Sequence, residues 1–272
     1  MKRVISFGDS FTVGLGTDRV EEHRLFKRAR NKDVGRKKAC EFRTNNSFTK
    51  FFADKRHSDF CNRGELGCSN KDILNNLMEF DRDENLSEDD FILIGFTSSY
   101  RDKLPFFPDV YNDNVKSGFQ LCMKELSLLK MGKKNIFFWN SKLDKEYENN
   151  LNKFMVEYLK FYMVEVFDDS YWQIYNSNLI VYIQKYLEFK KVKYIMFDAF
   201  EPMLNDIPKF VNKKTYWECG EKNIHSFLKQ FNDESVYEDM GHIINKLVPK
   251  HPSRKGHKLF TEELYRFYNE VY

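Results

Sequence analysis

The sequence predicts an α/β layer structure built on a parallel sheet. Three runs carry that expectation: Arg3-Val4-Ile5-Ser6-Phe7, Asp90-Phe91-Ile92-Leu93-Ile94 and Lys193-Tyr194-Ile195-Met196-Phe197-Asp198. Each is apolar almost without interruption instead of alternating, so each reads as a strand covered on both faces. Between them lie segments of helical length whose apolar residues recur every three or four positions. Strands alternating with such helices build parallel sheets.

Taken in order, the first run stops at Gly8, where a buried strand gives way to a loop. Residues 17–38 are dense in charge of both signs and poor in apolar anchors, and they read as a solvated excursion. Acidic residues interleave with its basic part, 27–38, which is therefore a surface face rather than a nucleic-acid patch. Asp59-Phe60-Cys61-Asn62 is a further strand, followed by Ser69 as N-cap of a helix carrying Ile73, Leu74, Leu77 and Met78. The second apolar run ends at Gly95. Segment 114–131 places Val115, Phe119, Cys122, Met123, Leu126 and Leu129 at helical spacing. Residues 135–139 look like a strand, and 151–167 and 172–190 like amphipathic helices whose aromatic stripes belong to the core. Residues 199–250 are irregular with short helical pieces, and Ser253 caps a final helix through Leu259, Leu264 and Phe267. No repeat, low-complexity tract or linker divides the 272 residues, which are expected to form one domain with insertions.

Lys plus Arg (44) exceed Asp plus Glu (41) by only three, too little to commit the chain to nucleic acid or anionic lipid. A chain of this length buries roughly three quarters of its unfolded surface and needs no disulfide or metal to hold a core. The five cysteines (Cys40, Cys61, Cys68, Cys122, Cys219) are odd in number and never spaced as CxxC, and the six histidines form no HxxxH or HExxH pair. Free thiols and no metal site are expected. No apolar run approaches the ~18 residues of a membrane span, and the N-terminus passes directly into a strand without a signal-peptide pattern. The expectation is a soluble, cytoplasmic protein with neither nucleic-acid nor membrane partners; oligomeric state is not legible.

Ligands of open parallel sheets bind beyond the carboxyl ends of the strands. The first strand ends in Gly8-Asp9-Ser10-Phe11-Thr12-Val13-Gly14. A serine just after a strand, with glycines on both sides allowing close approach, reads either as a nucleophile at a helix N-terminus or as a plain helix cap. The second ends in Asn62-Arg63-Gly64-Glu65-Leu66-Gly67-Cys68-Ser69, whose backbone N–H groups can hold a developing oxyanion. The third ends in Gly95-Phe96-Thr97-Ser98-Ser99, with hydroxyls able to reach the same crevice. Near the C-terminus, His251-Pro252-Ser253-Arg254-Lys255-Gly256-His257 sets a histidine just ahead of a helix N-cap. A nucleophile, oxyanion donors and a base thus stand on four separate segments.

In order and wording these blocks resemble the SGNH (GDSL-type) hydrolases, discontinuously but over nearly the whole chain, from Gly8 to His257. Gly8-Asp9-Ser10 with Gly14 looks like the family's GDSxxxG, which implies that Ser10 is the nucleophile and its N–H an oxyanion donor. Asn62-x-Gly64-x-x-Gly67-x-Ser69 is similar to the second block, implying a second donor at the Gly67 N–H. The His251-Pro252-Ser253-x-x-Gly256-His257 block implies that His251 is the general base. Two positions depart from the pattern. Thr97 stands where the third block carries asparagine, and its hydroxyl is expected to donate to the oxyanion instead. Val248 stands where the last block carries an aspartate. The orienting role then passes to a backbone carbonyl near Val248, to Asp239 or Glu238, or is absent and leaves a Ser-His dyad.

The resemblance further implies a three-layer α/β/α sandwich, flavodoxin-like, with about five parallel strands, and one such domain over 1–272 with insertions at about 17–47 and 100–170. The implied reaction is hydrolysis of a carboxylic ester by acyl transfer, with no metal or organic cofactor. The substrate is expected to be a small-molecule or carbohydrate ester, a short acyl group such as O-acetyl on a carbohydrate being favoured. Two alternatives stay open: an acyltransferase using the same serine, and a catalytically silent binding or structural protein. Asp9 is expected as a structural acceptor, His257 as a packed residue of the last helix, and Asp198 and Glu201 as loop residues past the last strand.

Overall fold

The computed structural model describes residues 2–15, 17, 21, 24–25, 32–65, 68–97, 101–103, 120–122, 169–199, 209–237 and 250–272. Strand β1 (Arg3–Phe7) runs into a one-turn helix, α1 (Ser10–Val13); α2 (Lys32–Asn45) and α3 (Phe48–Lys55) precede β2 (Asp59–Asn62). Helix α4 (Asn70–Glu84) leads to β3 (Phe91–Phe96), and β4 (Arg101–Lys103) pairs with β5 (Gln120–Cys122) in an antiparallel ribbon. Helix α5 (Asp169–Phe189), strand β6 (Lys193–Asp198), α6 (Ile224–Lys229) and α7 (Arg254–Val271) complete the order.

The main sheet is entirely parallel, in the order β2-β1-β3-β6. Its register sets Phe7 beside Ile94 and Phe96 beside Asp198, so that the carboxyl ends of β1, β3 and β6 open on one edge. Among the described residues this sheet has four strands rather than about five. Segments 135–139 and 151–167, read as a strand and a helix, lie outside the described residues.

Alternation along each strand sorts the core into two layers. Val4, Phe91, Leu93, Ile195 and Phe197 face α3 and α7, where they meet Phe48, Phe52, Phe260 and Leu264. Ile5, Phe7, Ile92, Ile94, Phe96 and Met196 face α4 and α5, where they meet Ile73, Leu77, Ile180, Ile183 and Leu187. The molecule is thus a three-layer α/β/α sandwich, and helices on both faces explain the unbroken apolar runs. Both foreseen caps form: the Ser69 hydroxyl accepts the Asp72 N–H while the Asp72 carboxylate accepts the Ser69 N–H, and Ser253 Oγ accepts the Gly256 N–H.

Two expectations need correction. Within 114–131, read as one helix, residues 120–122 form β5, with Gln120 opposite Lys103 and Cys122 opposite Arg101. The pairing partner lies upstream, where local periodicity carries no information about it. Likewise the charged excursion does not stay irregular, because α2 begins at Lys32. Among the described residues no helix is long and apolar enough to cross a membrane.

Candidate active site

The turn after β1 is built by its two glycines. A Cβ on Gly8 would lie 2.0 Å from Thr12 Oγ1 and 2.8 Å from the Gly95 carbonyl oxygen, so only glycine lets α1 fold back against the end of β3. Asp9 is the N-cap: its backbone is extended and its Oδ1 accepts the Phe11 N–H at 2.9 Å. Ser10 therefore begins α1. Gly14 ends it with φ +83°, a left-handed conformation that suits glycine, and a Cβ there would stand 2.6 Å from the Arg43 carbonyl oxygen. The GDSxxxG spacing is one helical turn held between two positions that admit no side chain.

Ser10 Oγ lies 2.8 Å from His251 Nε2, a contact between residues 241 positions apart. Both are nearly enclosed, Ser10 at 7% and His251 at 4% exposure. Backbone ties on the C-terminal side of the histidine hold it in place. Pro252 bridges to Tyr237, the Ser253 N–H donates to the Val236 carbonyl at 2.8 Å, and the Arg254 N–H donates to the Thr17 carbonyl at 3.0 Å. The Phe11 ring packs against the imidazole with centroids 4.8 Å apart. A serine hydroxyl in hydrogen-bond reach of an imidazole nitrogen is the nucleophile–base relation of acyl-transfer sites.

The loop after β2 presses on the same turn. The Gly8 carbonyl accepts the Glu65 N–H at 2.9 Å and the Cys68 thiol at 3.2 Å, and the Arg63 N–H donates to the Ser6 carbonyl. Gly67 lies outside the described residues. Asn62 contributes a tie that its motif position did not reveal. Its Nδ2 donates to the Thr12 carbonyl at 2.7 Å and to Ser47 Oγ at 3.1 Å, and its Oδ1 accepts the Gly64 N–H at 2.9 Å.

Thr97 departs from expectation. Its hydroxyl donates to Asp9 Oδ2 at 2.8 Å and its side chain is fully buried. A hydroxyl has one proton to give, so in this arrangement that proton is committed to Asp9 and not offered to an oxyanion. The Thr97 backbone is clamped by Asn70, whose Oδ1 accepts the Thr97 N–H at 2.9 Å and whose Nδ2 donates to the Thr97 carbonyl at 3.2 Å. Asn70, the first residue of α4, also escaped the sequence reading, since nothing local marks such a clamp.

Candidates for the orienting role, Glu238, Asp239 and the carbonyl near Val248, lie outside the described residues, as does Glu201. Asp198 is not a surface loop residue: it is buried and accepts the Tyr216 hydroxyl at 2.6 Å. Burial first, and then the Asp198 charge, push the Tyr216 phenol well above its ordinary range. His257 packs in the last helix as expected. Its Nδ1 accepts the Phe48 N–H at 3.3 Å, and its ring stacks on Phe48. Burial, with a smaller contribution from His251, lowers its pKa to about 3.

No family model and no curated protein matches the sequence. Solved structures do show likeness. The chain is similar, over 98% of its length and 99% of the other, to a lipolytic protein of the G-D-S-L family from Desulfitobacterium hafniense DCB-2, at 14% identity and a TM-score of 0.40. A member of the lipolytic protein G-D-S-L family from Veillonella parvula DSM 2008 aligns over all of both chains at 11% identity and a TM-score of 0.37. A carbohydrate esterase aligns over 99% of this chain and 65% of its own, at 12% identity and a TM-score of 0.32.

Proposed function

We propose that this chain is a serine hydrolase of SGNH type that cleaves a carboxylic ester through an acyl-enzyme. The observation that carries the reading is the 2.8 Å contact between Ser10 Oγ and His251 Nε2 at the carboxyl edge of a parallel sheet. In the proposed cycle His251 Nε2 takes the Ser10 proton as Oγ attacks the ester carbonyl, and the tetrahedral oxyanion rests on the backbone N–H groups of Ser10 and Gly67. The imidazolium then protonates the departing alcohol. A water deprotonated by the same nitrogen releases the acid and restores Ser10. The proposed substrate is a short acyl ester, O-acetyl on a carbohydrate in particular.

A fluorophosphonate probe with mass-spectrometric localisation tests the chemistry: the wild type is expected to label at Ser10 and Ser10→Ala not at all. A folded wild type that stays unlabelled favours the silent binding protein. Release of acetate from acetylated sugars at higher kcat/KM than longer acids from matched esters tests the substrate. Acyl transfer to an added alcohol outrunning hydrolysis would favour the transferase.

A further inference from the structure

We infer that Thr97 and Asp9 form a positioning pair that aims Ser10, Thr97 acting through the Asp9 carboxylate rather than on the reacting atoms. This rests on the proposed hydrolase reading and assigns a part to two residues that the proposed cycle does not use. Both side chains are fully buried. The two carboxylate oxygens of Asp9 have different tasks: Oδ1 caps α1 through the Phe11 N–H at 2.9 Å, and Oδ2 accepts the Thr97 hydroxyl at 2.8 Å, across 88 positions of sequence. Ser10 sits between the residue that gives the carboxylate and the residue whose N–H it holds, so the orientation of that carboxylate fixes the backbone on both sides of the nucleophile.

Thr97 in turn is a rigid anchor. Its N–H and carbonyl are both bonded to the Asn70 side chain. A continuous line of hydrogen bonds therefore runs from the first residue of α4, through the end of β3, to the first turn of α1. The close approach at Gly8 leaves α1 no slack against β3, because Thr12 Oγ1 already occupies the space where a Gly8 Cβ would sit. Removing the Thr97 hydroxyl takes one donor from a buried carboxylate, which costs more than an ordinary hydrogen bond and favours movement of Asp9. Displacement of a reacting group by about 1 Å costs on the order of a hundredfold in rate. The same reasoning gives Thr97→Ser, which keeps the hydroxyl, a near-native rate.

The test is a double-mutant cycle read as the second-order rate of Ser10 labelling by the fluorophosphonate, on proteins whose thermal melts show them folded. Thr97→Val is expected to slow labelling about ten- to hundredfold and Thr97→Ser less than about threefold. Asp9→Ala, which removes both acceptors, should slow it at least as much as Thr97→Val, and Thr97→Val added to Asp9→Ala should change it less than about twofold. Where Thr97→Val or Asp9→Ala does not fold, Thr97→Ala or Asp9→Asn takes its place in the cycle. Multiplicative effects would overturn the inference in favour of a direct action of Thr97 on the oxyanion, and a Thr97→Val protein that labels like wild type would overturn it by leaving Thr97 neither role. In either case the wild type still labels and the hydrolase reading stands. A wild type that does not label removes both.

Discussion

Ser10 and His251 share one hydrogen bond, and in the proposed cycle each is useless without the other. Ser10→Ala and His251→Ala are each expected to lower turnover of a short activated ester to background, and the double variant to be no worse than either single one, since residues acting as a unit are not additive. A single variant with near-native turnover would remove that residue from the assignment. His257 supplies a different prediction. Its folded pKa of about 3 lies below the ordinary 6.5, so below neutrality the unfolded chain binds a proton that the folded chain refuses. Its contribution to stability is therefore complete above about pH 6.5 and is lost progressively as pH falls from there toward 3. At about 1.4 kcal/mol per pH unit, urea unfolding should show a loss of about 2 kcal/mol between pH 7.5 and pH 5 that is absent in His257→Asn. At this scale the motifs singled out Ser10 and His251, and the structure brings these two side chains to 2.8 Å of each other. The sequence did not show what Thr97, Asn62 and Asn70 bind, because those partners lie 27 to 88 positions away for Asn70–Thr97 and Thr97–Asp9 and 50 for Asn62–Thr12.

Elements were legible where one local signal sufficed. The strands β1, β3 and β6 followed from apolar runs, and α4 and α7 from Ser69 and Ser253, whose hydroxyls each accept the backbone N–H three residues on. The ribbon β4–β5 was not legible, since a three-residue strand has no periodicity of its own and exists only through its partner. Helix α1 is an intermediate case: four residues are too few to persist alone, and the Asp9 cap and the Gly14 reversal define it instead. Gly14→Ala should therefore act on the whole element. Left-handed backbone costs alanine about 1–2 kcal/mol, and the Arg43 carbonyl 2.6 Å from the new Cβ adds to that. Urea unfolding should show a loss of about 2 kcal/mol or more, with slower Ser10 labelling in the protein that remains folded; a native melt together with native labelling would mean that the turn absorbs the methyl group.

For the whole molecule, the site depends on bringing the two ends of the chain to one edge of the sheet, and the packing of α7 is what secures this. Phe260, 1% exposed, lies at the junction. Its ring meets Phe48 of α3 at 5.6 Å, Phe197 of β6 at 5.1 Å, Trp217 at 5.3 Å and Phe227 of α6 at 6.0 Å between centroids. Removing it leaves four aromatic neighbours around a cavity that none can fill without breaking its other contacts, and such truncations cost about 3–5 kcal/mol. Because α7 directly follows the segment that carries His251, loosening it moves the base as well as the core. Phe260→Ala is expected to lower the urea midpoint by the equivalent of about 3–5 kcal/mol. If the chain is one cooperative unit, as the sequence leads one to expect, Ser10 labelling and the far-ultraviolet circular dichroism should be lost at the same urea concentration in both wild type and variant. Labelling lost well before the circular dichroism in Phe260→Ala alone would mean that α7 and His251 detach from a sheet that stays folded, and the single-unit reading would give way to a separable C-terminal segment.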